Sequence, residues 1–200
     1  GFPMKKITLL IVDDHPLFRQ GVADSLAIEA DMVVMGQAAS GEDGLDLIRD
    51  LKPQIALMDI NLPGMNGQQI THLIVQEKLP TRVLLLTGYD EMEQAVHAAL
   101  AGAAGYLAKD IEPENLMNAI RDVADGKFVF GSRVFSRREL DSWLVSQTEG
   151  ARRSYSEPGG IRDEIEATAA DNEALTEVVD IGDTVNGQDI LAVRVTADAD

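Results

Sequence analysis

Three carboxylates and one ammonium group, each placed at or just after the end of an apolar run, are the residues of this chain best placed to do chemistry. Ile7-Thr8-Leu9-Leu10-Ile11-Val12 ends in Asp13-Asp14, and Gln54-Ile55-Ala56-Leu57-Met58 ends in Asp59. The second run continues into Ile60-Asn61-Leu62-Pro63-Gly64, so a buried strand delivers its acid to a sheet edge and then turns. Two parallel strands that both finish in carboxylates bring Asp13, Asp14 and Asp59 into one crevice at the strands' carboxyl ends, where open α/β sheets bind ligands. Such a cluster repels itself unless a hard divalent cation sits among its oxygens. The chemistry indicated is that of magnesium and phosphate.

Two further side chains complete the crevice. Thr87 closes the run Arg82-Val83-Leu84-Leu85-Leu86, and Lys109 follows Ala104-Gly105-Tyr106-Leu107-Ala108. Asp59 is then expected to be the nucleophile that takes a phosphoryl group as an acyl phosphate. Asp14, Asp59 and the Asn61 carbonyl are expected to ligate Mg2+, with Asp13 acting through water, a small protein ligand set that suits an ion which keeps several waters. Lys109 would neutralise phosphoryl charge and Thr87 would hydrogen-bond a phosphoryl oxygen; positioning and charge neutralisation supply most of the catalysis in phosphoryl transfer. Taken singly, a carboxylate at a strand end is more often a helix cap or a surface group, and a lone lysine is usually solvated. It is the set of five at four strand ends that carries the assignment. His15, beside the acid pair, reads either as a metal ligand or as a group that covers the pocket or caps the following helix. His72 and His97 fall in helical patterns as surface or edge residues, and Met58, Met65 and Met92 read as core or rim filler.

The elements that must position these groups alternate in type. Strand candidates lie at 7–12, 33–38, 54–59, 82–87 and 104–107, and helical patterns lie near 15–29, 42–51, 66–77, 91–101 and 113–125. Three of the strands, Ile7–Val12, Ile55–Met58 and Val83–Leu86, are apolar almost throughout, as strands buried on both faces are. Strand–helix alternation repeated five times predicts a doubly wound parallel sheet with right-handed crossovers and helices on both faces. Beyond residue 127 the pattern changes. Ser136–Gln147 reads as a helix with Ser136 as cap and Glu139 at the third position, presenting Leu140, Trp143 and Leu144 on one face, and 150–160 reads as a flexible linker.

The bulk composition excludes several classes of function. A formal charge of −17 argues against a nucleic-acid surface over the whole chain. With no cysteine there is no disulfide framework, thiolate zinc site or thiol catalysis. No apolar run approaches the roughly 20 residues of a membrane span, and no signal peptide is visible, so the cytoplasm is the expected compartment. Gly1-Phe2-Pro3 ahead of Met4 reads as a cloning remnant. Residues 161–200 hold two arginines against eleven acids, and two extended segments flank Asn186-Gly187, a strong hairpin signal.

Val12-Asp13-Asp14-His15-Pro16-Leu17-Phe18-Arg19-Gln20-Gly21, Met58-Asp59-Ile60-Asn61-Leu62-Pro63-Gly64-Met65-Asn66-Gly67, the Thr87 strand end and Tyr106-Leu107-Ala108-Lys109 together resemble a response-regulator receiver domain. Asp-Asp-His-Pro and Gly105-Tyr106-Leu107 are most similar to the NarL/FixJ subfamily. The resemblance covers about 5–127 and implies a flavodoxin-like (βα)5 fold phosphorylated at Asp59 by a histidine kinase. It also implies a switch in which Thr87 moves toward the phosphoryl group and Tyr106 swings inward, remodelling the face of the fourth helix, fifth strand and fifth helix. Tyr106 reads otherwise as a plain half-buried core residue. Gly88 after Thr87 and Ala108 before Lys109 are mild departures.

Subfamily members usually continue into a LuxR-type helix-turn-helix; 161–200 is too short and too acidic for one, because a DNA reader needs lysine and arginine aimed at phosphates. The expected division is therefore a receiver over 5–127, a helix and linker over 128–160, and an acidic segment over 161–200. The function expected is a phospho-accepting module acting through protein–protein contacts, as a homodimer or on a downstream effector. One alternative is a transcription factor whose DNA-binding part is missing or replaced. Another is a phosphatase with an aspartyl nucleophile, which would need a general acid where Asn61 stands.

Overall fold

The structure, a computed structural model, describes residues 5–88, 92–156, 176–183 and 189–195, with side chains described over 5–88 and 94–147. It divides into two compact units, Gly1–Leu144 and Val145–Asp200. In the first unit, β1 (Ile7–Val12), β2 (Met32–Ala38), β3 (Ile55–Asp59), β4 (Arg82–Thr87) and β5 (Gly105–Ala108) alternate with α1 (Pro16–Ile28), α2 (Gly41–Leu51), α3 (Gly67–Gln76), α4 (Met92–Leu100) and α5 (Pro113–Ala124). The five strands pair in parallel in the order β2-β1-β3-β4-β5. This is the doubly wound flavodoxin-like α/β fold, with β1 and β3 side by side.

The uninterrupted apolar runs have a direct cause. Leu10, Val12, Ala56, Met58, Val83 and Leu85 face α2, α3 and α4 through Leu45, Ile48, Ile70, Ile74 and Ala98. The alternate residues Leu9, Ile11, Ile55, Leu57, Leu84 and Leu86 face α1 and α5 through Val22, Leu26, Leu116, Ile120 and Val123. With a core on each face, neither set can be polar. The helix starts are chemically marked. Pro16 and Pro113 open α1 and α5, Ser40 caps α2, and Asn66 and Gln69 form a reciprocal capping box on α3.

The sheet does not end at β5. β6 (Phe128–Phe130) pairs with it in parallel, and β7 (Arg133–Phe135) pairs back on β6, so the sheet has seven strands. α6 (Arg137–Ser156) follows. Ser136 and Glu139 form the expected capping box, with Glu139 accepting from the Ser136 N–H at 2.7 Å and its own N–H reaching Ser136 Oγ at 3.3 Å. Leu140 is buried and Trp143 and Leu144 pack on the same core, while Phe130, Phe135 and Trp143 form an aromatic trio with centroids 5.4–6.3 Å apart. The helix runs past Gln147, so the stretch read as a linker is helical as far as Ser156. The physical reason is that a single Gly150 costs a helix only about 1 kcal/mol, while Ala151-Arg152-Arg153 favour it. The rest of the expected linker lies outside the described residues.

The contact between β5 and β6 permits no side chain at Gly105. A Cβ there would collide with Leu84 Cδ2 and lie 2.5 Å from the Val129 carbonyl oxygen. Gly105→Ala is expected to cost about 1–3 kcal/mol through overpacking. Urea unfolding checks this, and an unchanged midpoint would mean that β6 yields freely.

In the second unit, β8 (Thr176–Asp183) and β9 (Asp189–Val195) pair antiparallel, from Thr176↔Val195 to Asp183↔Asp189, with a register slip between Asp180 and Gly182. The hairpin expected around Asn186-Gly187 is therefore present; the turn itself lies outside the described residues.

Candidate functional site

The C-terminal ends of β1, β3, β4 and β5 bring the predicted groups together. Asp13 follows β1, Asp59 ends β3, Thr87 ends β4 and Lys109 follows β5. Asp13 and Asp59 are each only 1% exposed and Thr87 is buried, whereas Asp14 is open to solvent. Lys109 Nζ lies 2.6 Å from Asp13 Oδ2 and 3.0 Å from Asp59 Oδ2, and bridges the two strand ends. Those two oxygens meet no other hydrogen-bond donor among the described residues. The lysine is placed by its own backbone, whose N–H donates to the Thr87 carbonyl at 2.7 Å. Burial works to lower the Lys109 pKa, but hydrogen bonding and Coulombic attraction from Asp13 and Asp59 outweigh it, and the net shift is upward. The ammonium therefore keeps its charge at neutral pH.

Asn61 is exposed and stands two residues beyond Asp59, and its N–H donates to Asp59 Oδ1 at 3.1 Å. This holds the acid's rotamer and sets the Asn61 main chain beside it.

The first helix contributes more than sequence reasoning assigned to it. His15 occupies the cap position of α1 but makes no side-chain cap bond. Its backbone N–H donates to Asp13 Oδ1 at 2.8 Å, while Nδ1 sits 3.0 Å from Asp13 Oδ1, 3.1 Å from Asp14 Oδ1 and 3.9 Å from Asp59 Oδ2. The ring thus lies over the acids, in line with the pocket-covering reading, and of the cap reading only the position holds, since the side chain makes no cap bond. The Arg19 guanidinium donates to the Asp13 carbonyl, and the Phe18 ring lies 4.7 Å from Lys109 Nζ. The Asp13–His15 turn has a short-range signal, an Asp two residues before its donor; Arg19 and Phe18 act across a helix turn whose phase no local pattern sets. His72 and His97 are exposed, apart from this cluster, and Met58 is core, while the Met92 side chain lies outside the described residues.

One ligand atom each from Asp13, Asp14, His15 and Asp59 lies within 4.8 Å of the others. Three carboxylates against one lysine leave an excess of negative charge on hard oxygen donors, and this donor set fits Mg2+.

Tyr106 is fully buried, deeper than the half-buried position the sequence suggests, and lies in one cluster with Leu85, Ala98, Ala99 and Phe130. Leu85 pairs with Tyr106 and Thr87 with Ala108 across β4 and β5. Thr87 and Leu85 share a sheet face because they are two residues apart, so Thr87 and Tyr106 stand on that face one diagonal step from each other.

Residues 9–121 match the response regulator receiver domain family. The chain is 38% identical over 122 residues to the nitrate/nitrite response regulator protein NarL of Escherichia coli, covering 61% of this chain and 56% of that protein. It is 35% identical over 151 residues to the response regulator GacA of Pseudomonas aeruginosa, covering 76% of this chain and 71% of the relative. Among solved structures it is similar to the signal receiver domain of NarL from Mycobacterium tuberculosis, with 39% identity, a TM-score of 0.60, and coverage of 61% of this chain and 98% of that one. The receiver of Thermotoga maritima CheB superposes with a TM-score of 0.57 at 29% identity. The chain spans little more than half the length of the NarL proteins it matches.

Proposed function

This chain belongs to the response regulator receiver family, and from that membership we propose that it accepts a phosphoryl group on Asp59 and passes the change to other proteins through its α4–β5–α5 face. The observation that carries the reading is the pairing of buried Asp59 with Lys109 Nζ at 3.0 Å, at the mouth of a crevice that also holds Asp13 and Asp14. In the proposed step an Asp59 carboxylate oxygen bonds to phosphorus while the bond from phosphorus to the donor's nitrogen or oxygen breaks, the leaving atom keeping the electron pair. Asp14, Asp59 and the Asn61 carbonyl would hold Mg2+ directly and Asp13 would hold it through water. The ion would supply charge neutralisation at the transferring group. Lys109 would shift from its carboxylate contacts to the phosphoryl oxygens. Thr87, on the same sheet face as Tyr106, would follow the phosphoryl group and alter the packing around that ring, a two-state element biased by local charge.

The partners proposed are a histidine kinase as donor, and a second copy or a downstream effector as reader. Residues 5–127 are proposed as the receiver, 128–160 as a helix and linker, and 161–200 as an acidic segment that does not read DNA. The module is proposed as a phospho-acceptor with at most slow self-dephosphorylation. Asn61 stands where an aspartyl-nucleophile phosphatase needs a proton donor. No helix among the described residues is long and apolar enough to cross a membrane, and a cytoplasmic setting is proposed.

The test is intact mass after incubation with acetyl phosphate, with and without Mg2+. A single phosphoryl adduct that requires the cation, and that borohydride reduction locates at residue 59, is the expected result. A folded protein that takes no adduct at saturating Mg2+ would overturn the reading.

A further inference from the structure

The loop between β3 and α3, residues 60–66, carries Asn61, and its far end is gripped by another element. Glu42 is the second residue of α2, and its Oε1 accepts the Met65 N–H at 3.0 Å. Two glycines make the approach possible. A Cβ on Gly41 would lie 2.6 Å from the Met65 carbonyl oxygen, and one on Gly64 would lie 2.7 Å from Glu42 Oε1. Gly64 also has φ +73, a left-handed conformation that other residues adopt only with strain. The near end of the loop is tied to the sheet: the Ile60 N–H donates to the Leu86 carbonyl at 3.0 Å, and the Gly67 N–H donates to the Ile60 carbonyl at 2.9 Å. With both ends fixed, the segment from Asn61 to Gly64 has little freedom to wander.

We propose that Glu42 is a positioning residue for the divalent cation, acting at a distance by clamping the loop that presents the Asn61 main chain. This rests on the phospho-acceptor reading and deepens it by adding a residue from α2, an element that gives no ligand to the crevice. The Met65 N–H and Glu42's own backbone also hold the Glu42 carboxyl below the ordinary glutamate range, so the clamp is charged at neutral pH. Loss of the clamp frees the loop and adds an ordering cost to metal binding.

The experiment measures Mn2+, an oxygen-seeking stand-in for Mg2+, through the EPR signal of the free ion in titrations of wild type, Glu42→Gln and Glu42→Ala. Glu42→Ala is expected to weaken binding by roughly threefold to tenfold, below the 10–100-fold typical of groups that touch a ligand directly. Glu42→Gln keeps an acceptor oxygen and is expected to bind like wild type. A structural role alone would lower the metal-free melting temperature without moving the affinity. At saturating Mg2+ the Ala variant is expected to phosphorylate at the wild-type rate, which puts the deficit in the metal required. Equal Mn2+ affinity in Glu42→Ala and wild type would overturn the clamp while leaving the phospho-acceptor reading intact. A Gln variant as weak as the Ala variant would overturn it too. A wild type that neither binds Mn2+ nor takes a phosphoryl group would overturn the underlying reading instead.

Discussion

Asp59→Asn is expected to lose the phosphoryl adduct completely and yet to be at least as stable as wild type without metal. The amide is no nucleophile toward phosphorus, and no other carboxylate is paired with Lys109 at the end of β3. Stability moves the other way because of charge. Asp13, Asp14 and Asp59 crowd one crevice, two of them almost wholly buried, and Lys109 is the ammonium that bridges the buried pair. Removing one negative charge relieves like-charge repulsion, while the Asn61 N–H keeps an oxygen acceptor on the replaced side chain. Mg2+ should then have less to offer the fold. At ten times its dissociation constant it adds about 1.4 kcal/mol to wild type, and a smaller increment is expected in the mutant. Intact mass and thermal melts with and without Mg2+ read both effects. An adduct in the mutant would move the acceptor elsewhere, and a marked loss of metal-free stability would show that the Asp59 charge is needed by the fold.

Lys109→Met should do the opposite, costing about 3–5 kcal/mol without metal, because removing one member of a buried pair leaves uncompensated charge. Here two carboxylates, Asp13 and Asp59, would lose their ammonium partner together. The methionine keeps most of the apolar stem against Phe18, so the loss reports charge more than packing. Mg2+ is expected to restore part of the stability, since a divalent cation can take over neutralisation. Phosphorylation should remain slow, because the ion leaves the phosphoryl oxygens without their lysine. Urea unfolding, repeated with Mg2+, tests this. A cost under about 1 kcal/mol, or one that Mg2+ leaves unchanged, would mean that the crevice does not depend on this ion pair.

These opposed expectations come from groups that were legible in the chain before any fold was known. Leu9–Val12 and Ile55–Met58 read plainly because a parallel sheet covered on both faces has no polar position to interrupt its strands. The acids that end those runs are conspicuous for the same reason. The observed bounds of β1 and β4 coincide with the expected ones, those of β2 and β3 differ by one residue at the start, and β5 is shifted by one residue at both ends. What escaped is short or non-local. Phe128–Phe130 and Arg133–Phe135 are three residues each, too brief to show a period, and the pairing of the first of them to β5 depends on Gly105, more than twenty residues upstream. The placement of His15 and Arg19 at Asp13, and of Phe18 at Lys109, depends on the angle at which α1 leaves β1, which no local pattern encodes. Glu42 escaped because its partner is a backbone N–H 23 residues away.

Trp143 is the only tryptophan in the chain, and it packs on Phe130 and Phe135. Its emission is thus a built-in gauge of one place: the seam where α6 meets the β6–β7 hairpin. That seam shares no residue with the acidic crevice but is continuous with the cluster around Tyr106. Ultraviolet fluorescence of the unlabelled protein consequently watches the receiving end of the proposed relay and stays largely blind to cation entry, so a titration read by light and one read by bound metal follow two different events in the same molecule.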